Sequence, residues 1–455
     1  MNQSKNLDLM VVLSLSFCLL VGSASAGIFI AYALAVSLLL FVLVLNRRGF
    51  ALSALLRMGL AGARQSLPVV QVLLLIGMVT AVWMAAGTVP ALVYYGTRLI
   101  SAQFFVLWSF LLASAVSILI GTSFGTVGTI GIALMVIARG SDVDVNPVAG
   151  AIIAGAFVGD RCSPMSSSAH LVASVTRTNL YDNLRNMVAS SLWPLALSVV
   201  FYTGLSLLYP VQLSELSIMA ELSQVFDLSS VVLLPAIAVL LLAVLRVDVK
   251  WAMGVSIGIG GAIAHSLQHY SFAALFQFLL FGYQLNQDSP LQAILLGGGL
   301  LPMLKATLVV LLSTAFAGIF SGSRVLSFLD SWLGRIRSIR QLGRATVLVS
   351  IVANLFGCTQ TIAILLTEQI VRPCYQRQFS KQDCPEQLAL ALEDTAVVIA
   401  PLIPWNIAGL IPATILTVGP GFIPYTAYLI LLPLFVIFRR SRSQKVQFCG
   451  KNFSL

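Results

Sequence analysis

Asp160 stands at the end of an apolar run and opens the polar tract Asp160-Arg161-Cys162-Ser163-Pro164-Met165-Ser166-Ser167-Ser168-Ala169-His170. A carboxylate in a lipid-buried helix costs roughly 2.5–3.5 kcal/mol on insertion scales, so it is expected to persist where its charge is used. The chemistry on offer is competitive binding. Burial favours a carboxylic acid and a bound cation favours the carboxylate, so one acid holds either a proton or a sodium ion. Oxygen ligands for a dehydrated hard cation lie nearby in sequence: Ser163, Ser166 and Ser167 in the tract, and Thr122, Ser123 and Thr126 in the run Gly121-Thr122-Ser123-Phe124-Gly125-Thr126-Val127-Gly128-Thr129. Small residues at such spacing also serve plain helix packing.

A second set of polar residues lies far along the chain. Asn354, Thr359 and Gln360 occur in Asn354-Leu355-Phe356-Gly357-Cys358-Thr359-Gln360-Thr361, Glu393 and Asp394 follow, and Asn406 ends Pro401-Leu402-Ile403-Pro404-Trp405-Asn406. Asp160 and Asp394 are the expected Na+ ligands, with Asn406 joining from this second set. The competing structural readings are an ion pair of Asp160 with its neighbour Arg161 and a helix-end position for Glu393 or Asp394 at the cytoplasmic interface. Lys305 suits snorkelling, pairing with a carboxylate or contact with an anionic solute equally well. His265 and His269 share a helix face but lack a third ligand, so no resident metal is expected. The six cysteines form no C-x-x-C pair and are expected as free thiols.

The elements that must position these residues are membrane helices. Of 455 residues, 58% are hydrophobic and 9% charged, and the mean hydropathy is +0.97, values outside the range of water-soluble domains. The net charge of +10 is spread in short clusters between apolar stretches, which excludes a nucleic-acid-binding domain. Apolar stretches fall near 9–22, 27–45, 68–89, 103–138, 148–176, 188–208, 229–245, 251–286, 291–321, 345–371, 388–418 and 424–438. Many reach the ~20 residues needed to span a bilayer as helix, and none alternates like a barrel strand. The first 26 residues resemble a signal peptide, with Lys5, an apolar core and Ser23-Ala24-Ser25-Ala26, although another span follows at once.

The basic residues orient the set. One topology places 22 of the 26 lysines and arginines inside and leaves only Arg98, Arg139, Arg161 and Lys305 outside or at membrane depth. It requires 103–138 and 345–371 each to enter and leave on one side, as re-entrant hairpins or paired short helices. Each is followed by an interrupted span, 148–176 broken at 160–164 and 388–418 broken at 401–406. One such unit enters from outside and the other from inside. The expected fold is thus an all-α polytopic membrane protein, a single transporter domain over 1–455 with inverted-topology repeats near 68–208 and 291–438, two hairpins and two broken helices.

The quoted glycine-threonine run, Ala149-Gly150-Ala151-Ile152-Ile153-Ala154-Gly155-Ala156-Phe157-Val158-Gly159-Asp160 with its Ser163-Pro164 sequel, and Leu392-Glu393-Asp394-Thr395 through Asn406 resemble the signature stretches of the NhaC-type Na+/H+ antiporter family. The likeness covers most of the chain in order and spacing. It implies a secondary transporter of the bacterial inner membrane with cytoplasmic termini. It also implies exchange of Na+ for H+, or coupling of ions to small organic acids. Two family aspartates are hydroxyls here, Ser167 and Thr359, which weakens cation binding and repels an anionic solute less. The expected function is Na+/H+ antiport; the alternative is a Na+- or H+-coupled carrier of an amino acid or small organic acid. An enzyme, such as a paired-aspartate or Ser-His intramembrane protease, would leave the repeat unexplained. No cofactor is expected beyond the transported Na+ and H+; the partners are lipid and a small ion or organic solute, with homodimerisation left open.

Overall fold

Apolar length decides which segments become long helices, and glycine, proline and hydroxyl residues decide where they stop. The computed structural model describes residues 3–99, 102–140, 144–208, 222–245, 247–284, 297–323, 333–334, 336–380 and 382–438. Arg246, Arg324, Arg335, Lys381, the basic stretch 439–451 with Cys449, and residues 291–296 lie outside them.

The helices are α1 (Gln3–Ser25), α2 (Ile30–Arg47), α3 (Leu52–Gln65), α4 (Leu67–Ala85), α5 (Thr88–Leu99) and α6 (Phe105–Ile120). Then come α7 (Ser123–Arg139), α8 (Val145–Cys162), α9 (Ser167–Thr176), α10 (Leu180–Leu208), α11 (Leu234–Val244), α12 (Val249–Ser266), α13 (Phe272–Phe281) and α14 (Leu300–Gly322). Last are α15 (Ile339–Gly357) and α16 (Gln360–Gln378), α17 (Asp383–Leu402), α18 (Ile407–Ile415) and α19 (Ala427–Phe438). Among the described residues five helices are long and apolar enough to cross a membrane, or six if α17 and α18, bent by 49°, form one span. The protein is a polytopic, nearly all-helical membrane protein.

Two helix pairs turn in the same way. α6 ends at Gly121, in the left-handed conformation with φ 75°, and Thr122 then caps α7 by accepting the Gly125 N–H. α15 ends at Cys358, with φ 51°, and Thr359 caps α16 by accepting the Ile362 N–H. Gly121 is required twice, for its positive φ and because a Cβ there would lie 2.5 Å from Met165 Cβ. The expected turns within 103–138 and 345–371 thus fall at 121–122 and 358–359.

Both expected breaks are present. α8 stops at Cys162, and Ser166 caps α9 through the Ala169 N–H. α17 runs to Leu402, and Asn406 caps α18 through the Ala408 N–H. One expectation needs correction. Segment 251–286 is not one span but α12 and α13, parted at 267–271 where His269 adopts φ 59°. Residues 52–65, which lie between the apolar stretches 27–45 and 68–89, form α3, whose Gly62 lets the Thr314 carbonyl and Gly318 of α14 approach closer than a side chain would allow.

Candidate functional site

The position of Asp160 is set by close helix packing. Gly155 and Gly159 of α8 press on α6 so tightly that a Cβ at Gly155 would lie 2.6 Å from the Phe110 carbonyl, and one at Gly159 would overlap the Ser117 backbone. Ser117 Oγ donates to the Ala156 carbonyl, and Ser163 Oγ donates to the Ile118 carbonyl at 2.8 Å. Together they fix the C-terminal end of α8 beside the turn at Gly121.

There the buried Asp160 carboxylate meets the first residues of two helices. Oδ1 accepts from the Ser123 N–H of α7 at 3.4 Å, and Oδ2 accepts from Gln360 Nε2 of α16 at 3.1 Å. Helix N-termini favour negative charge, so the placement suits a carboxylate, although both donors are neutral. The Asp160 carbonyl accepts from Ser166 Oγ and, at 2.6 Å, from Ser168 Oγ.

Arg161 points elsewhere. Fully buried, it pairs with Asp394 of α17, not with Asp160. Its guanidinium also donates to Ser190 Oγ at 2.7 Å, to Ser191 Oγ, to the Met187 carbonyl at 3.1 Å and to Tyr428 Oη at 3.3 Å. Ser190 Oγ donates in turn to Asp394 Oδ1 at 3.1 Å. The pair therefore joins the end of α8 to α17, with α10 and α19 closing around it. The expected alternative, an Asp160–Arg161 ion pair, is not formed, and Asp394 is engaged by a cation of the protein itself.

Glu393 and Asp394 lie in a π-helical turn over Glu393–Val397, where hydrogen bonding shifts out of the α register. The Ala396 carbonyl accepts from Asn354 Nδ2 at 3.0 Å and the Val397 carbonyl from Gln360 Nε2 at 3.3 Å. Gln360 thus ties Asp160 to the π turn. Asn354 also accepts from Asn406 Nδ2 at 3.1 Å, which links α15 to the break between α17 and α18. Glu393 is fully buried, and neither Oε1 nor Oε2 has a hydrogen-bond partner.

The remaining candidates separate. Thr126 is buried and donates to the Thr122 carbonyl at 2.9 Å. Thr122, Ser166, Thr359 and Asn406 each spend a side-chain oxygen capping a helix. Ser167 is exposed, as are Lys305 and His265; among the described residues no three acidic, histidine or cysteine side chains cluster as metal ligands. Ser190, Ser191 and Tyr428 were missed by sequence reasoning; the signal available was a pair of adjacent serines and one tyrosine inside apolar spans.

An all-helical membrane protein whose interrupted helices converge on buried carboxylates has the makings of an ion-coupled carrier. A sequence profile of the Na+/H+ antiporter family matches residues 155–439, more than half of the chain. The chain is 28% identical over 403 residues to the malate-2H(+)/Na(+)-lactate antiporter of Bacillus subtilis, covering 87% of this chain and 86% of that one. It is 29% identical to the Na(+)/H(+) antiporter NhaC of Alkalihalophilus pseudofirmus, covering 80% of each chain. It is also 27% identical to the arginine/ornithine antiporter ArcD of Halobacterium salinarum, covering 80% of this chain and 77% of the relative. The chain belongs to the Na+/H+ antiporter family, and these relatives are transporters.

Proposed function

We propose that the protein exchanges Na+ for H+ across a bacterial inner membrane, with Asp160 as the acid that holds either cargo in turn. The observation that carries this reading is the Asp160 carboxylate, buried between the Ser123 N–H of one hairpin and the Gln360 amide of the other. Neutral donors orient the carboxylate and leave its charge for a cation or a proton.

The architecture we propose is the inverted repeat, with α6–α7 and α15–α16 as re-entrant hairpins entering from opposite faces, α8–α9 and α17–α18 as the broken spans, and both termini cytoplasmic. The repeated left-handed turn followed by a threonine cap supports it. Access to Asp160 would alternate as the two units rock, with a membrane potential contributing ~2.3 kcal/mol per net charge per 100 mV.

A second reading, coupled transport of an amino acid or small organic acid, is favoured by two features. Ser167 is exposed and Thr359 caps α16, where the family pattern places aspartates. Two of the relatives, moreover, are named for malate and lactate and for arginine and ornithine. The test is a proteoliposome assay with an imposed pH gradient and a pH-reporting dye, to which NaCl, KCl or LiCl and then organic solutes are added. Dequenching by Na+ or Li+ alone supports cation/proton exchange. Silence to every cation, with uptake of one organic solute, overturns it in favour of the second reading.

A further inference from the structure

The buried centre holds three carboxylates and one guanidinium. Arg161 is committed to Asp394, which also receives Ser190. Asp160 receives two neutral donors. Glu393 receives none, yet it is fully buried and lies where the charges of Arg161, Asp160 and Asp394 all act on it. An ionised carboxylate with no partner is among the most expensive groups to bury, so something that binds must neutralise it. One guanidinium cannot balance three carboxylates, and Arg161 is already spent on the residue next to Glu393.

We infer that Glu393 is a second cargo-holding carboxylate, taking up one monovalent cation, H+ or Na+, in addition to the one at Asp160. Glu393 opens the π turn, an irregularity of the kind that recurs at functional sites. Gln360 bridges Asp160 to the Val397 carbonyl at the end of the same turn, so the two sites share a connecting side chain. Transport would then be more than one-for-one competition at a single acid. The inference rests on the cation/proton reading above and deepens it.

The test uses the full-length transporter in proteoliposomes, with NaCl as the probe. The H+:Na+ ratio is read from the null point of opposed pH and Na+ gradients, and KM for Na+ from initial rates. In Glu393→Gln a ratio lowered by one proton assigns H+ to Glu393. An unchanged ratio with KM for Na+ raised about tenfold, the equivalent of 1.4 kcal/mol, assigns Na+. Wild-type ratio and KM in that variant overturn the inference while leaving exchange at Asp160 standing. If Glu393→Gln does not fold, Glu393→Leu, which removes the carboxyl at similar volume, decides on the same readouts: a lowered ratio or a raised KM supports the role, and wild-type values of both overturn it. If the wild type shows no Na+-dependent proton flux, it is the underlying exchange reading that fails.

Discussion

Asp160 and Asp394 occupy the same buried centre, yet they are held in opposite ways. Asp394 is locked by the Arg161 guanidinium and Ser190, whereas Asp160 is held by neutral groups, among them a backbone N–H at 3.4 Å and an amide at 3.1 Å. A carboxylate already neutralised by a fixed cation has little to gain from a mobile one, while one held by neutral donors keeps its charge available. The difference separates a carboxylate that holds the protein together from one able to hold cargo. Residues 160 and 161, adjacent in sequence, serve these two purposes because the side chains of neighbouring helical residues point in different directions.

The largest expected effect is at Asp160. Asp160→Asn should reduce Na+-dependent proton flux to background in proteoliposomes while the protein still inserts and purifies; wild-type flux would erase the distinction drawn above. Asp394→Asn should act on stability first. It leaves Arg161 buried without its counter-charge, a loss of about 3–5 kcal/mol, whereas replacing both partners by apolar residues of similar volume should restore much of it. Thermal unfolding in detergent measures both, and an Asp394→Asn protein as stable as the wild type would contradict the lock. Gln360→Ala removes the donor shared by Asp160 and the Val397 carbonyl, and a change of about 1–2 kcal/mol should appear as a five- to thirtyfold shift in KM for Na+. Smaller still, Thr359→Ala should cost about 1 kcal/mol of stability as a lost helix cap, with KM for Na+ unchanged. A large KM change instead would restore Thr359 to the cargo site.

Much of this arrangement was legible in the sequence because the features that interrupt helices are chemically distinctive. Gly121 before Thr122, Ser163-Pro164 after Asp160, and Pro401 to Asn406 each carry a residue that ends a helix or caps the next. Cys358 was less obvious, since a left-handed cysteine has no compositional signal. The break at 267–271 had a signal that the apolar length on either side obscured: the polar run His265-Ser266-Leu267-Gln268-His269-Tyr270-Ser271, whose Ser271 caps α13 through the Ala274 N–H. α3 is absent from the apolar stretches because its apolar face is short and two arginines, Arg57 and Arg64, punctuate it. Within the site, the pairing of Arg161 with Asp394 spans 233 positions of sequence. Nothing local distinguishes it from a pairing of Arg161 with Asp160. Ser190, Ser191 and Tyr428 become informative only once α10 and α19 are seen to close around the guanidinium.

The packing of α8 on α6 through Gly155 and Gly159 leaves these two helices no room to slide, because backbone meets backbone with no side chain to repack. They must travel as one body, and with them go Asp160 and the adjoining turn that presents Ser123. Gln360 reaches Asp160 from α16 through a flexible side chain. Under the rocking motion proposed above, α6 and α8 stay together, and a cysteine crosslink between them should leave turnover intact.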